Sequence, residues 1–231
     1  EITVRLVGSE MCIRDSGNSA GPTVPVFDTL NAKVRDEVHF AILNGDWLYE
    51  QRRDYPPESW LHQVGLDSME EAPRVVRKAP SIVGVWENYK VFLERGKNLS
   101  EWHRHVPSFY TADDHELLND IYGAGEIGYV NRRAVFRDIG TQAWFDYLAW
   151  ANPVKHDRPG WFGTGSFEAK SDVLEDTEAD FTKLDFEALA NLHVHWGTPT
   201  AGVPDAKLDA EPGNPNAAVY EIAEVLSPTR L

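Results

Sequence analysis

The chain has 231 residues, 42% hydrophobic and 11% aromatic, enough apolar material to fill one large domain or two small ones. Its formal net charge of −15, from 22 Lys and Arg against 37 Asp and Glu, excludes a surface for nucleic-acid backbones, which needs a cationic excess. No run of about 18 apolar residues is present, which excludes a helical membrane span, and the only cysteine, Cys12, excludes a disulfide framework or a cysteine zinc site.

In chain order, Leu6 to Ser16 resembles, over eleven consecutive residues, the direct translation of a transposon-end sequencing adapter. Residues 1–16 are therefore expected not to belong to the natural protein; the other reading is a native strand from Ile2 to Val7 followed by a loop. No basic and apolar signal pattern opens the chain. Val26, Phe27, Leu30 and Val34 predict an amphipathic helix over Pro25 to Val34, and Val38 to Asn44 reads as a buried strand leading to Asp46. Helical spacing returns over residues 57–66 and 80–95, with Gly96 as a stop. Ser100 is the expected cap of a short helix before a strand from Val106 to Thr111. Strand, helical excursion of some sixty residues, strand is the order of a parallel α/β crossover.

After that strand come a short helix with Leu117 and Leu118, a loop with Gly123, Gly125 and Gly128, and a helix from about Thr141 to Trp150 stopped by Pro153. Six prolines lie between residues 158 and 231, with β-like runs at Leu192 to Trp196 and Val219 to Val225. The organisation expected is therefore a non-native segment 1–16, an α/β core 17–153, and a β-rich extension or subdomain 154–231 that stops mid-domain after Ala218 to Leu226.

Two strands that each end in a carboxylate place oxygen ligands on one sheet edge, where open α/β sheets hold their ligands. Asp46 and Asp114 are the chosen metal ligands, because carboxylates are hard donors that can bridge two cations. Asp46 taken alone reads first as a helix cap or a solvated turn and only second as a ligand. Asp113-Asp114-His115-Glu116 reads either as a capping box with one orienting His or as a metal and catalytic cluster. Tyr49, one turn beyond Asp46, is a phenolate candidate for ferric iron or a packed aromatic; His115 protonates a leaving oxygen or orients Asp114. Asn119 and Asp120 read mainly as a solvated helix face. His193 and His195 share one face of a strand and read as a polar pair or a metal pair; His103 and His105 read as a helix end. Arg132, Arg133 and Arg137 read as ordinary ion pairs before phosphate anchors.

Phe40-Ala-Ile-Leu-Asn-Gly45-Asp46-Trp-Leu-Tyr49-Glu50, followed by Asp113-Asp114-His115-Glu116 with Asn119-Asp120 and by Ala143-Trp-Phe-Asp-Tyr147, resembles the alkaline phosphatase D group of metallophosphoesterases over residues 17–153. The resemblance implies a partial four-layer α/β sandwich, a binuclear or multinuclear metal centre, hydrolysis of phosphomonoesters or phosphodiesters, and a place outside the cytoplasm. It implies that Asp46 bridges the metals, Tyr49 binds iron, Asp114 is a further ligand and His115 assists the departing group. The metals implied are iron with calcium, or another pair such as manganese or zinc. Where the family's first strand ends in Ser-Cys-Asn, this chain has Ser16-Gly17-Asn18, and the family's late Gly-Asp-x-His motif has no match other than His193 and His195. The chain is accordingly expected to be a fragment with an incomplete metal site, its partner a phosphate ester. The competing expectations are a non-catalytic, metal-stabilised binding module outside the cell, using Trp47, Trp60, Trp86, Trp144 and Trp161, and a glycosidase using Asp114 with Glu116.

Overall fold

The computed structural model describes residues 25–45, 55–94, 97–119, 121, 123–130, 133–148, 160–186, 191–194 and 218–231. Helix α1, Pro25–Lys33, has Asp28 in its first turn and Lys33 in its last, which suits the helix dipole, and it buries Phe27. A 3₁₀ turn, Arg35–Glu37, leads to strand β1, Ala41–Asn44. Among the described residues the crossover holds four α-helices: α2, Pro57–Val64; α3, Arg74–Lys78; α4, Ile82–Glu94; and α5, Lys97–His105. Strand β2, Ser108–Thr111, follows, then the single turn α6, Asp114–Leu117, and the long helix α7, Arg133–Tyr147.

β1 and β2 pair in parallel, in the register Ala41 to Ser108, Ile42 to Phe109, Leu43 to Tyr110 and Asn44 to Thr111. Side chains alternate across the pair, so Ala41, Leu43, Ser108 and Tyr110 are buried on one face. That face belongs to a core with Ile82, Val83, Val85, Tyr89 and Phe92 of α4, Leu99 and Trp102 of α5, and Ile139 and Ala143 of α7. Helix α2 starts with proline and ends at Gly65, whose φ of 74° allows Leu66 N–H to reach back to the Leu61 carbonyl at 3.0 Å.

Both key strands are shorter than their apolar runs. Val106 N–H turns back to the Trp102 carbonyl at 2.8 Å as the last bond of α5, and Pro107 has no N–H to give a ladder. Pairing therefore opens with Ala41 N–H on the Pro107 carbonyl at 2.9 Å. α5 begins at Lys97, which places Ser100 inside the helix rather than at its cap. α7 begins at Arg133, eight residues before the Thr141 expected from spacing, because Ala134, Val135, Phe136 and Ile139 extend its buried face through Gly140.

Beyond α7 the described residues form two antiparallel pairs. β3, Ser166–Phe167, pairs with β4, Leu174–Glu175, and β5, Asn191–Val194, pairs with β6, Ala218–Glu221. The final run leaves the strand after Glu221 and folds back: Leu231 exchanges backbone hydrogen bonds of 3.0 Å with Leu174, and Asp176 N–H reaches the Thr229 carbonyl at 2.9 Å. Leu174, Ala179 and Phe181 form a small second core there. Arg74 ties this part to the crossover helices. Its guanidinium lies 3.9 Å from the centre of the Trp161 ring and donates to the Phe162 carbonyl at 2.7 Å, to buried Asp176 at 3.1 Å and to Glu178 at 2.9 Å. Among the described residues no helix is long and apolar enough to cross a membrane.

Candidate active site

Parallel pairing brings the C-terminal ends of β1 and β2 side by side. Gly45 N–H continues the ladder to the Thr111 carbonyl at 3.2 Å, and Gly45 adopts φ +52°. A β-carbon at Gly45 would lie 2.4 Å from Cβ of Asp113, so only glycine lets the two strand ends come this close. Asp46 and Tyr49, the proposed metal ligands of the first strand end, lie outside the described residues.

The acidic cluster divides its labour. Asp113 caps α6, its Oδ1 accepting from Asp114 N–H at 2.9 Å, and Glu116 Oε2 accepts from Asp113 N–H at 2.7 Å to complete the capping box. Glu116 is wholly buried, whereas Asp114 and His115 are half-buried on the same turn. The capping box thus uses Asp113 and Glu116 and leaves the side chains of Asp114 and His115 outside it. Glu116 is already engaged by the cap, which counts against its use as the second acid of a glycosidase pair.

Two residues support this turn, Tyr89 from within the helix expected over residues 80–95 and Gly140 from outside any expected element. Tyr89 O–H of α4 donates to the Glu116 carbonyl at 3.2 Å, while its ring stacks on Tyr147 at 5.4 Å. Gly140 of α7 lies against the backbone of Leu117, where a β-carbon would approach Cα to 2.5 Å. Gly140 precedes the helix expected from Thr141, and only the longer helix Arg133–Tyr147 shows it as an isolated glycine within a helix, a signal of close packing.

The histidines sort differently. His193 Nδ1 is bonded to Asp138 Oδ2 on α7, and its side chain is 10% exposed; His195 lies outside the described residues. His103 Nε2 accepts from Tyr110 O–H at 2.6 Å, and burial holds the imidazole down at about 4 and pushes the phenol up. His105 Nδ1 sits 2.8 Å from the Glu101 carbonyl at the helix end. Arg137 pairs with Asp138 at 3.3 Å; Arg132 and Asp120 lie outside the described residues, and Asn119 is half-buried.

The described tryptophans are used in packing. Trp60 and Trp86 meet at 5.8 Å, Trp144 meets Phe145 at 5.3 Å, and Trp161 lies under Arg74. Among the described residues no group of three or more His, Cys, Asp or Glu side chains is placed to hold a metal ion. Asp114 and His115 supply one carboxylate and one imidazole, donors compatible with a hard or borderline cation, and the remaining expected donors fall on residues 46 and 49.

No curated protein and no solved structure matches the chain. A family model, PhoD-like phosphatase, matches residues 17–193, a span that contains both strand ends, α6 and α7 and reaches into β5. With more than half of its length matched, the chain belongs to the PhoD-like phosphatase family, a family of hydrolases.

Proposed function

We propose that the chain carries part of the active site of a metal-dependent hydrolase of phosphomonoesters or phosphodiesters. The observation that supports this most is the contact of Gly45 with Asp113, because it sets the residues after each strand against one another at the sheet edge. Asp46 and Asp114 are the carboxylates that would hold the cations, with Tyr49 as the phenolate donor. Iron with calcium suits that set, as does a manganese or zinc pair. PhoD-like phosphatases are generally metal-dependent. Bound cations supply positive charge opposite the phosphoryl oxygens.

The protein's own part is position and a proton. Asp113 and Glu116 hold the turn that carries His115. As the oxygen of water adds to phosphorus and releases a proton to solvent, the bond to the alcohol oxygen breaks and protonated His115 gives that departing oxygen its proton, to be reprotonated from solvent. In the same reading β1 and β2 belong to a four-layer α/β sandwich, residues 154–231 are a β-rich extension, and residues 1–16 are not native. A place outside the cytoplasm rests on the family alone.

Hydrolysis of p-nitrophenyl phosphate and of its bis-ester, with Mn²⁺ or with Fe³⁺ and Ca²⁺ supplied, tests this. Asp46→Ala and Asp114→Ala should each lower kcat/KM by about 100-fold or more, and His115→Ala by about 100-fold, more for alkyl phosphates, whose leaving oxygen needs the proton most. Full activity in Asp114→Ala, or in wild type stripped by a chelator, would contradict the proposal.

A further inference from the structure

We infer that Gly140 of α7 and Tyr89 of α4 are positioning residues that set where the Asp114–His115 turn stands above the sheet edge. The inference rests on the hydrolase reading only for its catalytic readout.

α6 is one turn long, closed by Leu118 N–H on the Asp114 carbonyl at 2.6 Å and by the capping box. It is gripped from three sides. Gly45 presses on Asp113 at its start, Gly140 on Leu117 at its end, and Tyr89 O–H holds the Glu116 carbonyl between them.

A methyl group at residue 140 would sit 2.5 Å from Leu117 Cα, 2.6 Å from its carbonyl oxygen and 2.9 Å from its carbonyl carbon. All three atoms are backbone, so no rotamer change relieves the clash. Ordinary contact requires a retreat of about 1 Å.

α7 is the worse candidate to retreat. Ile139 and Ala143 on either side of Gly140 are wholly buried, Asp146 accepts from Trp86 Nε1 at 2.8 Å, Tyr147 stacks on Tyr89, and Asp138 holds His193. α6 has four residues and one turn of hydrogen bonds, so it moves, and it takes Asp114 and His115 with it. A displacement of about 1 Å in a catalytic group lowers turnover on the order of 100-fold while leaving substrate binding largely intact.

The test compares Gly140→Ala and Tyr89→Phe with Val76→Ala, which weakens the wholly buried α3 contact instead. Amide hydrogen exchange at residues 115–118 is read beside kcat and KM for bis-p-nitrophenyl phosphate. Gly140→Ala should raise exchange there by about tenfold over Val76→Ala and lower kcat by about 100-fold with KM within about threefold. Tyr89→Phe keeps the ring stack and removes the hydroxyl, and it should shift both readouts the same way by about three- to tenfold. The inference is overturned if Tyr89→Phe leaves exchange and kcat unchanged, or if Gly140→Ala does no more than Val76→Ala. Should wild type turn over neither ester, the hydrolase reading falls and the exchange pattern alone decides the positioning claim.

Discussion

His103 and Tyr110 form a pair whose chemistry is set by burial. A neutral imidazole accepts the phenol proton at 2.6 Å, and charging it would put two donors face to face away from water. The folded pKa of His103, about 4, lies below its ordinary 6.5, so between these values the unfolded chain binds more protons than the folded one. The contribution is whole above about pH 6.5 and disappears as pH falls toward 4, by at most about 3 kcal/mol. Urea midpoints at pH 5 and 7.5 should therefore differ more for wild type than for His103→Phe. Equal pH slopes in the two proteins would show that the imidazole is not held neutral by the fold.

Among the elements, α6 shows how one short stretch admits two readings. Asp113-Asp114-His115-Glu116 was legible as a capping box and as a metal or catalytic cluster, and one-dimensional spacing has no means of separating them. Burial separates them: Glu116 goes inward to the Asp113 N–H, and Asp114 and His115 remain near the surface. Glu116→Gln keeps an acceptor of the same shape and should stay within about 1 kcal/mol of wild-type stability in urea. Glu116→Ala strands the cap N–H beside a cavity and should lose about 2–3 kcal/mol. Equal loss in both variants would mean that the hydrogen bond does not hold the turn. Elements with regular apolar spacing, such as α2 and α4, were read to within a residue or two at each end. α7 was not, since Gly140 and the charges of Arg137 and Asp138 break its apolar pattern even though tertiary packing uses that glycine. The strand starts were misjudged for a different reason: Val106 is apolar and buried, but its N–H already belongs to α5.

At the scale of the molecule, the parallel pairing of two strands separated by the helical crossover was readable from strand, helices, strand, because apolar run lengths and the long connection allow little else. The links between distant parts were not readable: Arg74 on Trp161 and Asp176, and His193 on Asp138, join residues tens of positions apart whose local sequence carries no sign of the partner. The central claim is that the ends of β1 and β2 meet so that Asp46 and Asp114 hold shared cations. Titration with Mn²⁺, followed by loss of the free-ion paramagnetic resonance signal, tests it on wild type, Asp46→Asn, Asp114→Asn and the double variant. A shared site predicts that each single change weakens binding by about tenfold or more and that the double change adds little beyond either, since partners in one site are not additive. Binding that survives either single change, losses that simply add, or no Mn²⁺ binding by wild type would contradict it.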